Sequence, residues 1–159
     1  MTAALDWISN FLYAAILAGV PLLFGTLGEI LTEKAGNINL GVEGMMYMGA
    51  VFGFMGAYYL DSAIATLLFA FLGGLGGALV YAFLTVTLKA NQNVAGLTLT
   101  IFGTGLANLL GTNMINGSGS GAAMVSDAMK AFFRPMDMGT LTAIPYLGKL
   151  LFNHSLFTY

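Results

Sequence analysis

The sequence predicts an all-α membrane protein, a polytopic helical bundle of about four spans. Two observations carry this reading. Of 159 residues, 58% are hydrophobic and only 8% are charged, where a soluble domain usually has about 25% charged. Side chains in that proportion cannot cover a surface facing water. The twelve charges, seven acidic and five basic, are also spaced so that long uncharged runs lie between them. A hydrocarbon core about 30 Å thick takes roughly 20 apolar residues per helix. The same composition excludes a disordered or nucleic-acid-binding chain, and a net charge of -2 calls for no electrostatic partner.

The first span is expected at about residues 8–29, within the uncharged run from Trp7 to Gly28. This run is too long for a signal h-region and has no Lys or Arg before it, so it reads as a retained span. Pro21 lies inside it and is expected to kink it, which packed helices in a membrane accommodate. The second span is expected at 44–60, the short end of the spanning range, and the third at 62–88, long enough to cross with tilt. The fourth is expected at about 94–111, the apolar part of a run with polar ends. Gly49/Gly53 and Gly73/Gly77 are small-xxx-small pairs that let helix backbones approach closely in lipid.

Beyond Gly111 the character changes. Thr112 to Gly121 reads TNMINGSGSG and predicts a loop. Residues 112–155 are expected to form a long extramembrane loop with one small helix near Ser126–Phe133, capped by Ser126 or Asp127. His154, the single histidine, is expected to be a solvated loop residue. Leu156 to Tyr159 resemble the start of a further hydrophobic element, which a fragment of a longer protein would show.

The segment with chemical content is Glu29 to Gly44, EILTEKAGNINLGVEG. Three glycines and two asparagines fall within Gly36 to Gly44, so the backbone there is not expected to stay helical. Non-helical backbone at membrane depth is tolerated where it is buried in protein or lines a watery cavity, and discontinuous helices of this kind mark transporter pathways. A carboxylate at that depth costs about 2.5–3.5 kcal/mol and must be paired or wet. Glu29 and Glu33 share a helix face, Glu33 and Lys34 are adjacent, and Glu43 precedes an apolar helix whose dipole favours an anion. Two readings stand here: a broken helix with a functional role, or a short interfacial loop with Glu43 capping the next helix. The insert Lys89 to Asn93 carries the same pair, its amides lining a path or capping a turn.

Covalent chemistry is not indicated. The absence of cysteine excludes disulfides, thiolate metal sites and cysteine nucleophiles, and no zinc-protease, catalytic-triad or phosphate-loop pattern occurs. No metal site and no cofactor is expected.

The run from Pro21 to Ala50, PLLFGTLGEILTEKAGNINLGVEGMMYMGA, resembles the permease subunits of bacterial ABC importers for nucleosides and simple sugars. It is closest to the branch working with basic-membrane-lipoprotein-type binding proteins, usually associated with purine nucleosides. Leu88 to Leu106, LKANQNVAGLTLTIFGTGL, is a second match, similar to ribose permeases. The resemblance implies the N-terminal half of a type II-like importer transmembrane domain, since family members run to about twice this length and carry their ATPase-coupling loop in the second half. It implies a substrate path formed with a second permease subunit, an ATP-binding subunit that hydrolyses ATP, and an extracytoplasmic substrate-binding lipoprotein, all at a bacterial plasma membrane. The chain itself would be no enzyme. Asn37, Asn39, Glu43, Asn91, Gln92 and Asn93 carry over as path-lining or break-stabilising candidates, with Glu29, Glu33 and Lys34 as helix-end charges. Phe102 is a candidate for stacking on a base or sugar.

An external N-terminus puts Lys34 and Lys89 inside, against Lys130, Arg134 and Lys149 outside. Lys130 and Arg134 lie far from the fourth span, and this orientation is favoured. In either orientation Trp7 and the Tyr58–Tyr59 pair fall at one interface. Two other function classes remain open: an ion-coupled secondary transporter using Glu29, Glu33 or Glu43 as a proton relay, and a scaffold subunit with no path of its own.

Overall fold

The computed structural model describes residues 2–159 apart from 120, 121, 137 and 143. The elements run α1 (Thr2–Lys34), α2 (Val42–Leu60), α3 (Ala63–Ala82), a π-helical turn (Phe83–Thr87), α4 (Gln92–Gly117), α5 (Asp127–Phe132), a 3-10 turn (Gly139–Leu141) and α6 (Leu147–Phe152). Among the described residues there is no strand, and the chain is an all-α membrane bundle. Residues 4–34, 63–87 and 92–117 are long and apolar enough to cross a membrane. The 19-residue α2, diluted by glycines, tyrosines and Glu43, is not among them. Apolar side chains crowd the outside, with Ile101 75% and Ile64 72% exposed, as a lipid-facing surface requires.

The chain divides into two compact units, Gly25–Met129 and Met1–Phe24 with Lys130–Tyr159, and α1 contributes residues to both. In the first, α2 lies against α3 and α4. Glycine makes this approach possible. A Cβ at Gly53 would sit 3.0 Å from Ala70 Cβ, and one at Gly73 would sit 2.9 Å from the Met48 carbonyl oxygen. The two small-xxx-small pairs therefore do pack helices, as their spacing predicts. Between α2 and α4 the backbones of Gly44 and Gly103 touch so closely that a Cβ on either would strike the other helix's main chain. Tyr81, Ala95 and Leu99 form the buried core, with Met45 and Leu84 packed on it.

Asp61, in the left-handed region at φ 44°, ends α2, and Ser62 caps α3 by accepting from the Ala65 N–H at 3.5 Å. Asp accepts that backbone more readily than most residues. Further on, α3 widens into its π turn, where Leu88 N–H bonds to the Phe83 carbonyl at 3.0 Å.

Three expectations for the C-terminal third are corrected. The helix of the fourth span does not stop at Gly111 but continues through Gly117. Thr112–Gly117 has poor helix propensity, yet Met114 is 5% exposed, and burying it holds the extra turns in place. The remainder of the predicted loop includes Ser120 and Gly121, which lie outside the described residues. Downstream, α5 begins where Ser126 Oγ accepts from the Met129 N–H at 3.2 Å, and α6 is a second short helix that the sequence did not announce. His154 is likewise not solvated. It is 3% exposed, stacked on Tyr13 at 5.0 Å between centroids, with Nε2 2.7 Å from the Leu150 carbonyl. Tyr13 covers one face of the ring, Tyr159 meets it edge-on at 5.9 Å and a backbone carbonyl takes Nε2, while the buried Nδ1 has no hydrogen-bond partner among the described residues and carries a desolvation cost. Lys149 Nζ, near the same Tyr13 ring, donates to Asn10 Oδ1 at 2.5 Å.

Candidate functional site

The helix does break after Lys34, and its ending is built from backbone. Gly36 adopts φ 85°, and its N–H donates to the Glu33 carbonyl at 2.9 Å while the Asn37 N–H reaches back to the Thr32 carbonyl at 3.0 Å. This paired closure needs a residue comfortable at positive φ, which glycine supplies. The chain then runs without helix through residues 37–41 and re-enters helix at Val42. The break is shorter than the Gly36–Gly44 span expected: Glu43 and Gly44 already belong to the first turn of α2.

Side chains from three helices bind this segment. From α1, Glu29 Oε1 accepts the Asn39 N–H at 2.7 Å, and its Oε2 accepts from Thr32 Oγ1 at 2.9 Å. From α3, Tyr81 donates its hydroxyl to the Ile38 carbonyl at 2.6 Å. From α4, Gln92 Oε1 accepts the Ile38 N–H at 2.9 Å while its Nε2 donates to Asn37 Oδ1 at 3.0 Å. Thr100 donates to the Leu40 carbonyl at 2.9 Å. Asn39, 5% exposed, turns its Oδ1 to the Gly41 N–H at 2.9 Å. A Cβ on Gly96 would sit 2.8 Å from the Leu40 nitrogen, so the break presses directly on the backbone of α4.

Of the predicted residues, Asn37, Asn39 and Gln92 meet in this network. Asn91 does not: it caps α4, its Oδ1 accepting from the Asn93 and Val94 N–H groups at 3.0 and 3.2 Å. Asn93 and Glu43 are exposed, and Gly41, which makes no side-chain cap bond, holds the N-cap position of α2. Glu33 and Lys34 are exposed at the end of α1. Glu29, grouped with them as a helix-end charge, instead supplies the anchor of the break. Tyr81, Thr100 and Thr32 were not singled out by the sequence, where each is one polar atom in an apolar run. Among the described residues no cluster of potential metal ligands occurs. The arrangement can hold a loop rigidly and present its edge, but it contains no nucleophile–base pair and no general acid–base constellation.

Residues 10–144 match the family described as branched-chain amino acid transport system, permease component. The putative glucose ABC transporter permease protein TsgC13 of Haloferax volcanii is 33% identical over 96% of this chain and 50% of its own length. The guanosine ABC transporter permease protein NupQ of Bacillus subtilis is 28% identical over 95% of this chain and 47% of its own. The nucleoside ABC transporter permease protein NupC of Lactococcus lactis is 29% identical over 88% and 44%. The chain thus spans about half the length of the curated relatives it matches. No solved structure matches it. Helices fit to cross a membrane, a clamped helix break and a match over most of the sequence converge on one statement: the chain belongs to the family of permease components of the branched-chain amino acid transport system type.

Proposed function

We propose that this chain forms the N-terminal half of the transmembrane permease subunit of an ATP-driven importer for nucleosides or simple sugars. The observation that carries the reading is the break at residues 35–41. The chain leaves helix there between α1 and α2, and the freed backbone groups are bonded by side chains of α1, α3 and α4. Irregular backbone in a membrane protein belongs beside a pathway or inside protein, and half-helix ends commonly approach a transported solute. The names of the relatives, for glucose, guanosine and nucleoside permeases, support the solute class.

In this reading α2 is a fourth, short span, and the break with Asn37, Asn39 and Gln92 forms part of the path wall. The chain carries out no covalent chemistry; a separate ATP-binding subunit hydrolyses ATP, a second permease subunit completes the path, and an extracytoplasmic lipoprotein delivers solute. The complex sits in the bacterial plasma membrane as a multi-pass assembly. Affinity purification of the full-length permease tests this: an ATPase and a binding lipoprotein copurify, and uptake of labelled guanosine or glucose stops on ATP depletion. Uptake that follows the proton gradient and ignores ATP depletion would sink the reading in favour of ion coupling.

A further inference from the structure

The second half of α4 carries a pattern that the break does not use. Thr104, Gly105, Asn108, Gly111 and Thr112 recur at i, i+1, i+4, i+7 and i+8, which places them on one side of the helix. Phe102, Leu106, Leu109 and Leu110 repeat at i, i+4, i+7 and i+8 around the rest of the circumference. Every polar or small residue from 104 to 112 except Ala107 therefore lies on one strip. Asn108, Gly105 and Thr112 are exposed on it, and Thr104 is half-buried. A Cβ added at Gly105 or Gly111 would meet nothing within 4 Å, in contrast to the tightly packed Gly96 and Gly103 on the buried side of the same helix. The strip is thus open as well as polar.

An asparagine on a spanning helix does not face hydrocarbon without cost, and such residues turn toward the bundle interior or a watery cavity. The threonines need less help. Thr104 donates its hydroxyl to the Thr100 carbonyl one turn back, which leaves its oxygen lone pairs free to accept. Asn108 offers a carbonyl acceptor and two N–H donors, and among the described residues no hydrogen bond engages its side chain. From Thr104 to Thr112 the strip is about 12 Å long at 1.5 Å per residue. No charged residue occurs anywhere in α4.

We propose that Thr104, Asn108 and Thr112 form a solute-contacting strip of the transport path that takes the hydroxyl groups of an uncharged polyhydroxylated ring, a sugar or the ribosyl part of a nucleoside. The proposal rests on the importer reading above and assigns it a site. Hydroxyls are donors and acceptors at once, and neutral amide and hydroxyl groups match them without any counter-charge. An amino acid would bring an ammonium and a carboxylate, for which the strip has no partner. Gly105 and Gly111, flanking Asn108, leave the width a ring needs.

The test uses the full-length permease in its assembled transporter. Labelled ribose, glucose, guanosine and leucine are compared in uptake. Asn108→Ala and Thr112→Val each raise KM for the polyol solute about fivefold, the loss of one neutral hydrogen bond. Gly105→Leu, which adds bulk to open space and improves helix propensity, lowers uptake while yield and ATPase copurification stay unchanged. Because this chain has no cysteine, native cysteines elsewhere in the transporter are first replaced. Asn108→Cys then reacts with a water-soluble maleimide, the transported solute slows that reaction, and Leu109→Cys, on the apolar side of the helix, stays unreactive. An unreactive Asn108→Cys overturns the inference, because the strip is then packed against another helix. Preferential uptake of leucine overturns the substrate class. Polyol uptake by the wild type with Asn108→Ala, Thr112→Val and Gly105→Leu all unchanged overturns the strip alone. No uptake of any of the four solutes by the wild type overturns the importer reading and the strip with it.

Discussion

Removing the Glu29 carboxylate separates its two conceivable roles, anchor of the break and carrier of a proton. Glu29→Ala deletes the acceptor of the Asn39 N–H at 2.7 Å, and Asn39 is 5% exposed, so water does not readily replace it. Thr32 loses its bond to Oε2 but keeps a bond from its hydroxyl to the residue 29 carbonyl at 2.8 Å. The net loss is one hydrogen bond that leaves a buried amide without its acceptor, about 2 kcal/mol. That corresponds to a roughly 30-fold rise in the population with the Asn39 amide released. Glu29→Gln keeps an oxygen for the same N–H in a weaker bond, a loss of about 1 kcal/mol and about fivefold. Hydrogen exchange at the Asn39 amide, read by mass spectrometry on a peptide covering 36–44, measures both. The expected order of exchange is wild type, then Gln, then Ala, with uptake following the reverse order and the Gln variant retaining a substantial part. A proton carrier gives a different result, because glutamine cannot carry a proton: Gln and Ala would be equally dead in uptake while Asn39 exchange stayed at the wild-type rate. That outcome would refute the anchor.

Tyr81→Phe removes the donor to the Ile38 carbonyl while leaving the ring in the core. It should cost about 1 kcal/mol, read as a lower midpoint in thermal unfolding of the purified protein, with expression intact. Gly103→Ala drives a methyl into the backbone of Gly44, where no side chain can move aside. It should destabilise by about 1–3 kcal/mol, whereas Gly28→Ala, with nothing within 4 Å of the new Cβ, should be neutral or gain up to about 1 kcal/mol of helix propensity. Equal unfolding midpoints for the two alanine variants would contradict the close α2–α4 contact.

The break was legible because its signals are local. Gly36 allows the left-handed closing residue, and the asparagines that follow compete with the helix for backbone groups. What was not legible is which partner each group finds. Glu29 looked like a helix-end charge beside Glu33 because both lie on one face. The fold instead brings the chain back so that Asn39 meets Glu29 while Glu33 stays exposed. Tyr81 sits in the run ALVYAF, where nothing local distinguishes a hydroxyl aimed at a carbonyl 43 residues away from an aromatic facing lipid. Distance in sequence also hid His154, whose burial depends on Tyr13 at the other end of the chain. Propensity misplaced the end of α4 for a related reason: Met114 is held by burial, which outweighs the preferences of its neighbours.

Six polar backbone groups of the break have partners within the protein. The Asn37 N–H goes to Thr32, Ile38 to Gln92, Asn39 to Glu29 and Gly41 to the Asn39 side chain. The carbonyls of Ile38 and Leu40 take Tyr81 and Thr100. A loop bonded to water would open freely; this one would have to give up its bonds to Gln92 and Thr100 before it could part from α4. At about 1 kcal/mol for each of the three shortest, the separated state lies about 3 kcal/mol higher and is populated below about 1%. In the proposed transport cycle the break, the end of α3 and the start of α4 accordingly move as one block. The switch between outward and inward access must then pivot outside this block. The break serves as a fixed wall, and the network around Glu29 keeps that wall in one shape while other parts of the permease move.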